Sequence, residues 1–145
     1  MPRLALSAAA LAFAFTAQAQ AAVFTPMGGS TPRPFSAAVT VNGFIYLSGQ
    51  LGTDSTGKVV TGGITAETRQ ALENIKTLLK AQGATMDDVV KCTVFLADMA
   101  EWPAMNGVYA TFFTKHFPAR SAFGTTGLAL GARVEIECLA QKHAP

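Results

Sequence analysis

Residues 133–141 read RVEIECLAQ, and their polarity alternates. Successive side chains of an extended chain point to opposite faces. Val134, Ile136, Cys138 and Ala140 therefore form one apolar face, and Glu135, Glu137 and Leu139 form the other. Such a strand buries its apolar side under another layer, and the chain upstream supplies helices for it. From Glu101 to Lys115, Trp102, Met105, Tyr109, Phe112 and Phe113 recur at helical spacing, which reads as core packing; Pro103 fits the first turn and Pro118 stops the run. Thr68, Ala71, Leu72, Ile75, Leu78 and Leu79 make a second helical stripe, opened by Thr65 as N-cap with Glu67 in the first turn and closed by Gly83.

Between and around the helices lie further strands. Asp88 to Leu96 is rich in β-branched residues, and a strand is expected from Arg120 to Thr125. Val39 to Val41, Asn42-Gly43 and Phe44 to Leu47 predict a hairpin, because a type I′ turn needs positive φ twice and Asn-Gly supplies it. Gly52 to Gly63 is a polar loop with a short hairpin at residues 55–58, and Gly28 to Pro34 is a turn-rich segment. The order β-β-α-β-α-β-β predicts an α+β fold: one mixed or antiparallel sheet with two helices on one face, no internal repeat and no second domain. Phe44, Tyr46, Ser48, Thr93 and Phe95 fall on the uncovered face with Glu135, Glu137 and Leu139. That face is semi-apolar and no helix remains to cover it, so a second copy of the chain is the expected cover.

Half of the residues are hydrophobic and 14% are charged, which excludes a disordered chain. Residues 1–21 predict a secretory signal peptide: Arg3, an uncharged apolar run from Leu4 to Ala17, and small-x-small sites at Ala17-Gln18-Ala19 and Ala19-Gln20-Ala21. The run is too short to span a bilayer, so residues 22–145 are expected as a single periplasmic domain with no membrane span. Its loss removes Arg3 and no acid, lowering the net charge from +2 to +1. There is no basic run, so no nucleic-acid partner is expected. An oxidising compartment permits a disulfide, but Cys92 and Cys138 both fall inside strands and are expected as buried, unpaired thiols. His116 and His143 are the only histidines, and no metal is expected.

Chemistry is expected from three places: Ser48-Gly49-Gln50, Phe117 to Ser121, and Val134 to Glu137. Arg120 enters a strand beside Pro118, and its planar fork matches a carboxylate, although a surface or interface salt bridge would also use it. Glu135 lies on the face read as buried by a second copy, where its pKa would rise and fit it for proton transfer. The alternative is a structural pair with Arg133 or Arg120. Ser48 and Gly49 offer a hydroxyl and a close backbone approach, or simply end a strand. Asn106 can donate to a ligand or sit solvated on its helix.

Several stretches together resemble the RidA/YjgF-like reactive intermediate deaminases, also grouped as endoribonuclease L-PSP. They are residues 34–39 (PFSAAV), 46–50 (YLSGQ), 68–74 (TRQALEN), 89–99 (VVKCTVFLADM), 106–109 (NGVY), 117–121 (FPARS) and 134–137 (VEIE). The resemblance runs from about Val23 to Gln141. It implies a chorismate-mutase-like fold and a homotrimer with inter-subunit clefts. It also implies cofactor-free hydrolysis of an enamine or imine of a 2-keto acid to the keto acid and ammonia. On that resemblance Arg120 clamps the substrate carboxylate, helped by the backbone N–H of Ala122. Glu135 positions or activates water, and Ser48, Gly49 and Asn106 shape the cleft. Phe35 stands where many members carry Tyr, and Ala122 where many carry Cys. Residues 124–130 lack the acidic residue, Arg and Pro common there. A non-catalytic binder of small carboxylates is the alternative within the same fold. The ribonuclease activity reported for some members fits poorly with the low charge.

Overall fold

The computed structural model describes residues 21–28 and 33–142. The expected signal peptide, except Ala21, lies outside the described residues, as do residues 29–32 of the turn-rich segment and His143. The elements are β1 (Val23–Pro26), β2 (Ser36–Val41), β3 (Phe44–Leu47), β4 (Gln50–Leu51), α1 (Gly63–Ala81), β5 (Val89–Leu96), α2 (Trp102–Ala110), β6 (Ala119–Gly124) and β7 (Val134–Gln141). They form one sheet in the order β1-β2-β3-β7-β5-β6, with β4 also on β7. β5 and β6 run parallel and the other pairs are antiparallel, so the sheet is mixed.

The expected hairpin forms at Asn42-Gly43, with φ of 49° and 80°. Val134, Ile136, Cys138 and Ala140 are buried, and α1 packs over them through Ala71, Leu72, Ile75 and Leu79. Each large apolar side chain fully buried in this way contributes about 1.5–3 kcal/mol. Gly83, at φ 71°, ends α1 as expected.

Four expectations are corrected. β1 and β4 were not foreseen. Each is short, and each depends on a partner strand, β2 or β7, rather than on local patterning. α1 begins at Gly63 behind Gly62, whose φ of 114° suits only glycine; Thr65 lies exposed inside the first turn and caps nothing. α2 ends at Ala110, where the Thr111 hydroxyl donates to the Val108 carbonyl, so Pro118 is not its stop. Cys92 and Cys138 are joined in a disulfide. The antiparallel register sets them directly opposite on the helix-covered face with Cα atoms 4.1 Å apart, a placement that arises only when β5 meets β7.

Two polar anchors from α1 hold the strands that carry the site. The Asn74 amide donates to the carbonyls of Leu51 and Thr53 at 3.1 and 3.0 Å. Glu67, buried in α1, accepts the Arg133 backbone N–H at 2.7 Å, just ahead of β7. Gly52 packs onto the Glu67 backbone so closely that a Cβ there would lie 2.6 Å from its Cα.

Candidate functional site

The register of β6 on β5 sorts the expected site residues onto two faces. Cys92 pairs with Arg120 and Val94 with Ala122, so both site residues share the helix-covered face. Ser121 and Phe123 take the open face, where the Lys91 ammonium donates to the Ser121 hydroxyl at 2.8 Å and Phe123 lies beside Phe95. Glu135 pairs with Phe95 and therefore also stands on the open face. The sheet thus separates Arg120 from Glu135 within one chain, and the site residues fall into two half-sites.

The first half-site lies along β6 and α2. The Arg120 guanidinium sits over the Tyr109 ring, 4.6 Å from its centroid, and 5.7 Å from that of Trp102. Trp102, Asn106 and Tyr109 are spaced i, i+4, i+7 and form one stripe of α2. Arg120 has no carboxylate at ion-pair distance among the described residues, so it makes no salt bridge within the single chain there. Burial pushes the Tyr109 phenol up to about 12 against the opposing charge of Arg120, so this side chain stays neutral. Asn106, Tyr109, Ala110, Phe117, Pro118 and Arg120 line a cavity of about 290 Å³.

The second half-site lies where β3, β4 and β7 meet. Gly49 faces the Glu135 side chain, and a Cβ on residue 49 would fall 2.8 Å from the Glu135 carboxyl carbon. The glycine is therefore required by the carboxylate and not by a turn. The Ser48 hydroxyl donates to the Ser36 carbonyl at 2.6 Å, tying this corner to β2 directly after the exposed Phe35. The Gln50 amide donates to the Ser48 and Gly49 carbonyls at 2.9 and 3.2 Å. Burial, and secondly the charge of Glu137 on the same face, hold Glu135 above the ordinary carboxylate range. Glu135 pairs with neither arginine proposed for it: Arg133 is taken by Glu67 and Glu101, and Arg120 lies on the other face.

A larger hollow of about 650 Å³ between α1 and the end of α2 contains none of the expected site residues. Two of its acids are already paired, Glu73 with Lys76 and Asp87 with Lys115. Trp102 and Tyr109 were read only as core. Tyr109 is buried, but Trp102 is 36% exposed and turns toward Arg120. The i, i+4, i+7 spacing with Asn106 was the signal available for that role.

The sequence profile of the family described as endoribonuclease L-PSP matches residues 29–142. A 2-iminobutanoate/2-iminopropanoate deaminase of Capra hircus is 49% identical over 108 residues, which is 74% of this chain and 79% of the relative. Among solved structures, the Rid-family protein YyfA of Yersinia pestis superposes with a TM-score of 0.78 at 37% identity, over 83% of this chain and 99% of that one. The YjgF gene product of E. coli superposes with a TM-score of 0.72 at 35% identity, over 76% of this chain and 89% of that one. The mixed sheet with its two helices is the chorismate-mutase-like arrangement of these neighbours.

Proposed function

Since the chain belongs to the endoribonuclease L-PSP family, which takes in the RidA/YjgF proteins, we propose that it hydrolyses 2-imino acids and their enamine tautomers to 2-oxo acids and ammonia. The observation that carries this reading is the Arg120 fork, held on aromatic rings with no carboxylate partner among the described residues. Arg120 binds the substrate carboxylate with two parallel hydrogen bonds, which sets the adjacent imine carbon in place. Water adds to that carbon while Glu135 accepts one of its protons, and the C=N electron pair moves to nitrogen, which takes that proton from Glu135 to give the carbinolamine. The carbinolamine then collapses: Glu135 passes the hydroxyl proton to nitrogen, the C–N bond breaks, ammonia leaves and a carbonyl remains, with one water consumed per ammonia released. A raised carboxyl pKa brings Glu135 nearer the working pH of such a proton transfer.

Arg120 and Glu135 lie on opposite faces, so one small substrate needs them from two copies of the chain. The protein works as a homotrimer in which the Arg120, Asn106 and Ala122 half of one copy meets the Phe35, Ser48, Gly49 and Glu135 half of the next. The open face supports this assembly: Tyr46 is 50% and Phe123 54% exposed in the single chain. A second reading, a carboxylate binder without turnover, is favoured by Phe35, which is 47% exposed and offers no hydroxyl to the cleft.

The test is to generate 2-iminopropanoate and 2-iminobutanoate in situ with an amino-acid oxidase and to trap the survivors with semicarbazide. Wild type should accelerate imine loss and Arg120→Ala should not. Equal trapping with and without wild-type protein would leave only the binder. The protein is also exported after cleavage behind Ala21, a reading supported by the Cys92–Cys138 disulfide, since such bonds persist in oxidising compartments. Mass spectrometry of the periplasmic fraction should find Ala22 at the N-terminus; an intact Met1 in the cytoplasm would refute export.

A further inference from the structure

Resting on the reading of Arg120 as the carboxylate clamp, we infer that Trp102 and Tyr109 form an aromatic shelf that fixes the plane of its guanidinium and leaves the N–H edge free for the substrate. An arginine that must bind a small anion faces two conflicting needs. Its long side chain has to be held still, yet its donors have to stay unoccupied. A carboxylate neighbour would hold it but would take the same donors and cancel its charge. An aromatic face holds it without using its donors, because the ring quadrupole attracts the flat face of the cation while the five N–H groups point outward in the plane.

The geometry meets both needs. The guanidinium carbon lies 4.6 Å from the Tyr109 centroid and 5.7 Å from that of Trp102, and no carboxylate among the described residues reaches it. Tyr109 is itself packed into the core: it is 3% exposed and its ring lies against Phe113 at 4.8 Å. The Tyr109 hydroxyl is buried and has no hydrogen-bond partner among the described residues, so the ring is the working part. The phenol is held neutral up to about 12, so the ring keeps its face for the cation at any working pH. Trp102 and Tyr109 are therefore positioning residues, acting through Arg120 and not on the substrate.

The test uses the mature full-length protein and two readouts: steady-state KM and kcat for 2-iminobutanoate, and the dissociation constant of 2-oxobutanoate by calorimetry. Trp102→Leu changes a partly exposed side chain and should fold. It should raise KM and the dissociation constant by roughly 3- to 10-fold with kcat within about twofold, the range of one partly desolvated cation–π contact. In an Arg120→Lys background, which keeps a weaker cationic clamp without the planar fork, Trp102→Leu should change both constants less than it does in wild type. Trp102 is the chain's single tryptophan, so its emission is a third readout: 2-oxobutanoate should alter it saturably in wild type and not in Arg120→Ala. An unchanged KM in Trp102→Leu, or an equal loss in both backgrounds, overturns the shelf. A wild type that turns over imines with no Trp102–Arg120 coupling sinks the shelf and leaves the deaminase standing. A wild type inert toward imines but with that coupling in 2-oxobutanoate binding sinks the deaminase and leaves the shelf. Absence of both turnover and carboxylate binding overturns both.

Discussion

Replacing Gly49 by Ala puts a methyl group where the Glu135 side chain now lies. The new Cβ would stand 2.8 Å from the carboxyl carbon and 3.0 Å from Cγ, with Oε1 nearer still. Ordinary contact begins at 3.4 Å, so the carboxyl carbon must retreat by at least about 0.6 Å and the nearer oxygen by about 1.5 Å, a displacement of 1 Å or more for the group. Gly49 is not among the glycines with positive φ, so alanine fits the backbone there. Glu135 stands on the open face and can swing away, at a cost of about 0.5–1.5 kcal/mol for an off-rotamer side chain. The fold should therefore survive with a small loss of stability. Activity should not: a misplacement of about 1 Å costs roughly 100-fold in rate, or about 2.7 kcal/mol of barrier. The assay is semicarbazide-trapped imine turnover beside thermal unfolding, for Gly49→Ala, Glu135→Gln and the double variant. If Gly49 acts through Glu135, the double variant is no slower than Glu135→Gln alone. Full activity in Gly49→Ala, or losses that multiply in the double variant, would refute the reasoning.

Four further outcomes are expected. Glu135 is held above its ordinary value by burial and then by Glu137, so the acid limb of kcat/KM should lie above that of an ordinary glutamate, and Glu137→Gln should move it down; an unmoved limb would assign it to another group. Because a raised acid pKa means the native state binds the proton more tightly, the stability contributed by Glu135 is present below the ordinary range and lost as pH rises through the raised value. Glu135→Gln should therefore raise the unfolding temperature at pH 7, with the gain shrinking in acid. The disulfide closes a separation of 46 residues, for which the chain-entropy relation gives about 4 kcal/mol; Cys92→Ala with Cys138→Ala should lower the urea midpoint at fixed protein concentration, and an unchanged midpoint would show that the bond contributes nothing. Glu67→Ala leaves the Arg133 N–H without its acceptor and should cost about 1–3 kcal/mol, whereas Glu67→Gln keeps an acceptor oxygen and should cost less; equal losses would rule out the hydrogen bond as the cause.

The parts of the molecule legible in the residues are those whose cause is local. The alternation from Val134 to Ala140 needs only the two-residue period of a strand, and it placed Ile136 in the core and Glu135 opposite it correctly. The Asn42-Gly43 turn and the Gly83 stop need only the left-handed region that these residues tolerate. The α1 stripe needs only helical spacing. Arg120 and Glu135 stood out by chemical type and by the motifs around them, and neither makes an ion pair among the described residues.

What was not legible depends on which strand lies beside which. β1 and β4 exist because β2 and β7 offer them hydrogen-bonding edges. The disulfide follows from the β5–β7 register, and Trp102 becomes a support for Arg120 only because β6 lies parallel to β5 beneath α2. The same register puts Arg120 and Glu135 on opposite sides of the sheet, a separation no local pattern encodes. Periodicity and turn chemistry thus settle the elements and their faces, since those act over a few residues. Pairing across long separations settles the half-sites and the cysteine bond, since register is set by the whole sheet closing on its core.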